Sequence, residues 1–371
     1  LSSELVYNKS REFTVGVEFE LQLLDRKTLA FKNIAPEVLK NLRPRFGERI
    51  KEEFITCMLE LNTRVCESVE EAAADLTETT IALTQELALH DAVPYASSLH
   101  PWEKGTGLNL TGNRRYERIL EDLQLVGRRF ITQGLHVHVG VGDADRAVRI
   151  NNNMRVYLPL LLALSTSSPF YAGEVTGLYS YRTKLFEALP MAGMPDLIDN
   201  WDEFRSLTSL LIAGGVIASV KDLWWDVRPH PGFGTVEVRI CDLPSRFSHT
   251  ISLVALIQAL VATLGASTVH PSARIQMQIL RANKWQATRY GLDGVFVNPV
   301  SATRLPIKDA IRDLLDFVRP EAEKLGTIKY LEGIEDILEG GTGAHRQIEI
   351  YETNGQNFKA VIESMRGEFL N

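Results

Sequence analysis

The chain has 371 residues, 45% of them hydrophobic and 23% charged, which is enough to build a sizeable core as one large domain or two closely joined ones. Its 40 basic and 47 acidic residues leave a net charge of -7, which counts against a general nucleic-acid binder and leaves room for a local basic pocket. Cys57, Cys66 and Cys241 are odd in number and lack Cys-x-x-Cys spacing, so neither a disulfide framework nor a zinc knuckle is expected, and a reducing cytoplasm fits. Residues 1–13 are too polar for a secretory signal. The apolar run Ile251 to Gly265 is shorter than a membrane span and contains Gln258, so a buried helix is expected and no membrane partner.

The first element is a strand from Thr14 to Asp25. Alternation puts Glu18 and Glu20 on one face and Val15, Val17, Phe19, Leu21 and Leu23 on the other. Two carboxylates side by side repel unless a cation, a proton or an arginine lies between them. A connection with a short helix around Pro36 to Leu42 follows. Residues 54–63 then return to alternation, with Met58, Glu60 and Asn62 on one face and Cys57, Leu59 and Leu61 on the other. Ser68 and Glu71 form a capping box that opens a helix to about His90, with Leu76, Ile81, Leu83 and Leu87 as apolar positions. A short strand from Val93 gives way to a loop holding Gly105, Gly107 and Gly112, and Asn113 is expected to cap a helix through Phe130.

Leu135 to Val141 alternates again and presents His136 and His138 together, as ligand or substrate contacts. Residues 143–164 read as one helix. Ser165 to Pro195 reads as an exposed loop carrying Tyr179, Tyr181, Arg182 and Lys184, with Arg182 a candidate for phosphate. After a helix from Asp199 to Ser219, the segment 221–244 brings Lys221, Asp222, Asp226 and Arg228 ahead of a strand with Thr235, Glu237, Arg239 and Cys241 on one face. Pairing of these segments would converge cations and carboxylates on Glu237. Helices are expected over Ser248–Ser267, Ser272–Tyr290 and Ile307–Leu325, then shorter ones. Asn283, Arg289 and Tyr290, beside a Gly turn, and Arg346, after the Gly-rich turn at 340–343, are candidates for nucleotide or anion contacts.

No Walker A motif, dinucleotide fingerprint, nucleophile elbow or zincin motif is present. Glutamates on several strands suit a hard cation, Mg2+ or Mn2+, and so phosphoryl chemistry without a P-loop. In GVEFE (16–20), MLELNT (58–63), HVHVG (136–140), KDLWWDVRP (221–229), GTVEVRICD (234–242) and RYGLDG (289–294) the chain resembles the glutamate-cysteine ligase type 2 family of carboxylate-amine ligases.

The resemblance implies an α+β, glutamine-synthetase-like fold. Its curved, mainly antiparallel sheet would carry helices on the outer face, as a single ligase domain over residues 1–371. It places Glu18, Glu20, Glu60, His138 and Glu237 at metal positions and Arg228 and Arg239 at phosphate or substrate positions. Arg182, Lys221, Asn283, Arg289, Arg346 and His136 are further substrate or nucleotide contacts. The implied reaction uses ATP and Mg2+ or Mn2+ to phosphorylate the glutamate side chain, after which an amine such as cysteine forms a γ-glutamyl amide. A homodimer is compatible with the pattern. A ligase for another carboxylate and amine, or a catalytically weak metal- and nucleotide-binding protein, stays open at this point.

Overall fold

The alternating stretches form one antiparallel sheet in the computed structural model, which describes residues 5–105, 109–112, 114–266 and 275–369. Its strands are β1 (Val15–Asp25), β2 (Ile50–Glu52), β3 (Met58–Asn62), β4 (Ala92–Tyr95) and β5 (Gly134–Gly140). After the small hairpin β6 (Phe170–Tyr171) and β7 (Glu174–Val175), β8 (Val227–His230) and β9 (Thr235–Asp242) complete it. The order is β2-β3-β1-β5-β9-β8, with β4 also paired to β1, and a separate hairpin joins β10 (Val295–Val297) to β11 (Arg304–Pro306).

Helices lie on both sides of the sheet, the longer ones against its apolar face. They are α1 (Ala35–Phe46), α2 (Val69–Leu89), α3 (Arg114–Leu123), α4 (Leu125–Arg128), α5 (Ala144–Met154), α6 (Leu158–Ser165) and α7 (Tyr181–Glu187). There follow α8 (Trp201–Ala213), α9 (Phe247–Ala266), α10 (Met277–Tyr290), α11 (Ile307–Lys324), α12 (Ile328–Gly340), α13 (Gly343–Thr353) and α14 (Phe358–Glu368). Val15, Val17, Phe19, Leu21 and Leu23 share one core with Leu135, Val137, Val139, Val236 and Val238 and with Leu253, Leu256 and Leu260 of α9. Each such side chain contributes about 1.5–3 kcal/mol on burial, so a one-residue slip that turned this row to the polar side would cost far more than it could recover.

Several expectations need correction. Helix α9 has 20 residues and is long and apolar enough for a span, contrary to the length argument; it is a core helix because the protein buries it. Residues 143–164 form two helices, since Pro159 at the start of α6 lacks the N–H that a continuous helix requires there. The supposed loop of 165–195 contains α7, capped by Ser180 Oγ, which accepts from the Thr183 N–H at 3.3 Å, and Arg182 in its first turn is 2% exposed. Ile81 faces solvent. Glu71 completes the start of α2 by accepting from the Glu67 N–H at 2.8 Å, while Ser68 Oγ accepts from Glu71 N–H. Alternation from residue 54 begins only at Met58, and Cys57 packs with Ile55, Met58 and Ile131 away from the main core. The expected cap at Asn113, Gly107 and the helix start at Ser272 lie outside the described residues.

One irregularity shapes the site. Val238 pairs with Val137 and Cys241 with Leu135, so the two residues Arg239 and Ile240 stand opposite His136 alone. This bulge moves Cys241 onto the apolar face, where simple alternation had put it beside Glu237, and turns Asp242 to the polar side opposite Gly134.

Candidate active site

Sheet register assembles the polar face row by row. Glu60 pairs with Lys51 on one side and Glu20 on the other; Glu18 pairs with His136; and Glu237 pairs with His138 and Arg228. Because side chains directly opposite in a sheet share a face, residues far apart in sequence converge on one cavity of about 330 Å³. Glu18, Glu20, Glu60, His136, His138, Lys221, Arg228, Glu237 and Arg239 all line it.

Glu237 is held by cations. Arg228 Nε lies 2.6 Å from its Oε2 and Nη2 3.3 Å from Oε1, and Arg239 Nη1 donates to the same Oε1. Arg228 is locked in turn by the carbonyls of Val220, Lys221 and Leu223 at 3.0, 3.1 and 2.8 Å. Burial works against the Glu237 charge, yet Arg228, Arg239 and His138 hold its carboxyl well below the usual range. Glu18 lies between His136 Nδ1 at 3.6 Å and His138 Nε2 at 3.5 Å. Its burial is likewise overcome, by hydrogen bonds from the two histidines. Burial disfavours a His138 cation, but Glu237 and Glu18 raise it above the ordinary histidine value. His136 is pushed down to about 4 by burial and by Arg239.

The other end of the floor is different. Glu20, Glu53 and Glu60 each offer a carboxylate oxygen within 4.8 Å of the others. Burial raises the Glu20 carboxyl to about 7; Arg182 opposes the rise and Glu60 adds to it. Glu53 is driven well above its usual value by burial and by Glu20 and Glu60, and Glu60 is raised by burial and by Glu18. Among the described residues their one ion pair is Lys51 Nζ with Glu60 Oε1 at 3.8 Å. Three crowded carboxylates of this kind are a donor set for a hard divalent cation, which would offset their repulsion. His136 Nε2 and Arg239 Nε are buried without a partner among the described residues, leaving donor or acceptor capacity at the floor.

Glu53 was not singled out from the sequence. It follows the three-residue β2 in a charged stretch that reads as a connection, and only the adjacent Phe54 marks the return of apolar residues. The rim also went unread: Phe54 meets Tyr116 edge-on at 5.4 Å, and Phe130 meets Phe186 at 4.6 Å. His230, stacked on Phe233 at 4.3 Å, lines the cavity too.

Four candidates do not line the cavity. Asn283 donates to the Val297 carbonyl at 2.8 Å and accepts from its N–H at 2.9 Å, which ties α10 to β10. Arg346 is spent on Glu368, the Gly341 carbonyl and Ser245 at 2.9, 2.7 and 2.8 Å. Arg289 lies over the Tyr290 ring at 4.8 Å. Arg182 is buried beside the floor, against Gly134 on the polar face of β5, rather than exposed in a loop.

The fold is that of glutamine-synthetase-like ligases. A solved glutamate-cysteine ligase from Francisella tularensis in complex with AMP superposes with TM-score 0.72 at 15% identity, covering 98% of this chain and 90% of that one. A bifunctional glutathione synthetase from Pasteurella multocida gives TM-score 0.69 at 13% identity, over 95% of this chain and 52% of that one. The sequence profile of Glutamate-cysteine ligase family 2 matches residues 14–365, and the chain belongs to that family. Relatives provisionally named glutamate-cysteine ligase 2 include one from Solibacter usitatus, 36% identical over 95% of this chain and 92% of that protein. Another, from Sorangium cellulosum, is 36% identical over 95% of each. The protein is therefore a ligase of the glutamate-cysteine ligase type, in the class of ATP-dependent carboxylate-amine ligases.

Proposed function

We propose that the protein joins the side-chain carboxylate of glutamate to an amine, with cysteine the first candidate, through an acyl phosphate formed from ATP. The observation that carries this reading is the division of one cavity floor into a three-carboxylate end and an arginine end. Glu20, Glu53 and Glu60 fit Mg2+ or Mn2+, which when bound would neutralise nucleotide phosphate charge. Arg239, with Arg228 behind Glu237, would stabilise the negative charge of the terminal phosphoryl group as it moves to the glutamate carboxylate. The γ-carboxylate oxygen attacks the terminal phosphorus and ADP leaves. The amine then attacks the acyl carbon, phosphate departs, and the amine gives up a proton. His138, held between Glu18 and Glu237, fixes the strand row that presents these groups.

Names of relatives and the AMP of the Francisella tularensis complex support nucleotide use; the amine rests on the family name. The test is incubation with ATP, Mg2+, glutamate and a panel of amines, followed by chromatography of nucleotides and products. ADP, phosphate and a γ-glutamyl amide are expected in equal amounts, with cysteine among the best amines. AMP and pyrophosphate formed in step with the amide would overturn the acyl phosphate. Turnover only with another amine would reject cysteine.

A further inference from the structure

The bulge in β9 raises a backbone question, because a bulge re-aims side chains and leaves groups without ladder partners. Here outside partners take them. The Arg239 N–H donates to the Asp226 carbonyl at 2.9 Å. The carbonyls of Arg239 and Ile240 accept from Arg182, from Nη2 at 3.4 Å and from Nη1 at 3.3 Å. Arg182 lies over the Phe186 ring at 4.3 Å, and its Nη1 is 4.0 Å from an Asp242 carboxylate oxygen.

Asp242 fixes both partners of this contact. It ends β9 and accepts from the Ser167 N–H at 2.8 Å, from Ser168 Oγ at 2.8 Å and from Ser180 Oγ at 2.9 Å, and Ser180 caps the helix that carries Arg182. Room for the guanidinium depends on Gly134. A Cβ there would come within 2.5 Å of Arg182 Nη2, while the Gly134 N–H donates to Glu20 at 2.7 Å. The bulge, α7 and the floor of the cavity are thus one mechanical unit.

We propose that Arg182 is a positioning residue for Arg239: its planar guanidinium bridges the two bulge carbonyls and fixes the direction in which Arg239 enters the cavity. Lysine keeps the charge but lacks the rigid fork that reaches two acceptors at once. The activity readouts rest on the reaction proposed above; the spectroscopic one does not.

The experiment compares Arg182→Lys, Arg239→Lys and the double variant, together with the side-chain Nε–H signal of Arg239 in 15N-labelled protein. Arg182→Lys should lower kcat by about tenfold or more, as small misplacements of a catalytic group do, with KM for ATP and glutamate within about twofold. In the Arg239→Lys background the same change should cost less than about twofold, because its effect runs through Arg239. The Arg239 signal should shift or broaden in Arg182→Lys. A raised glutamate KM at unchanged kcat would make Arg182 a substrate ligand and overturn the proposal. So would equal losses in both backgrounds, a fall in Tm with kcat intact, or an unmoved Arg239 signal. A wild-type protein without amine-dependent phosphate release would count against the functional reading alone, and the Arg239 signal would still decide this one.

Discussion

At one end of the cavity floor the half-buried Glu20, Glu53 and Glu60 crowd together and are pushed towards their protonated forms; at the other, the half-buried Glu18 and the fully buried Glu237 are held ionised. Burial opposes the charge in both groups, so it does not explain the difference. What differs is the partner. Arg228, Arg239 and two histidines face the second group, while among the described residues Lys51, at 3.8 Å from Glu60, is the one basic ion-pair partner of the first. A carboxylate already held by arginine has little to gain from a cation, whereas three crowded ones that share a single distant lysine have their mutual repulsion to lose. On the reading proposed above, the acid end takes the metal and the arginine end the transferring phosphoryl group, so that Glu18, His138 and Glu237, expected at metal positions from the family resemblance, serve the arginine end instead.

The largest expected effect lies at the arginine end. Arg239→Met should lower kcat by about a hundredfold, the scale of losing a donor to developing charge, and should leave Glu237 short of a partner; steady-state phosphate release checks it. A loss under about threefold would detach the arginine end from chemistry. Next comes Glu60→Gln, which should weaken metal-dependent nucleotide binding at least tenfold with little change in far-UV circular dichroism, as calorimetry can show.

A pH series sharpens the contrast further. In the metal-free protein Glu20 holds its proton up to about pH 7, and a bound cation must displace it. Mn2+ affinity should rise from pH 6 to pH 8. The raised Glu20 carboxyl favours the metal-free fold fully below its unfolded pKa near 4.3, and that contribution is lost as pH rises through the folded value of about 7. The gain in Tm on adding Mn2+ should accordingly widen over the same range, and a gain that shrinks with rising pH would reverse the assignment.

The smallest effects are expected at the cysteines. Cys57 and Cys241 are pushed up to about 12 by burial, and Cys66 is raised by the same cause. Thiols so far from ionising are not nucleophiles. Single Cys→Ser variants should keep activity within about twofold to threefold, and an inactive one would overturn that reading.

The sequence made the strand faces legible because period-two alternation is a direct consequence of the pleat. Glu18 with Glu20, His136 with His138, and Glu237 with Arg239 each lie two apart, and the structure lines one cavity with all six. It was less informative where tertiary contacts override local pattern. Glu53 belongs with Glu20 and Glu60 only because β2 pairs with β3. Arg182 reads as a solvated loop residue until α7 is seen packed against β9. Asn283 looks like a binding residue and instead staples α10 to β10, and its neighbour Lys284, buried on Asp226 at 2.7 Å and Glu187 at 3.1 Å, carried no signal at all. The bulge that moves Cys241 to the core depends on one extra residue between paired positions, which alternation cannot register.

The division of the floor is tested most directly by titrating Mn2+ alone, followed by electron paramagnetic resonance, into the wild type, Glu53→Gln and Glu237→Gln. The account predicts that Glu53→Gln weakens binding by at least about tenfold while Glu237→Gln stays within about threefold of the wild type. Equal losses in the two variants, or a loss confined to Glu237→Gln, would contradict it.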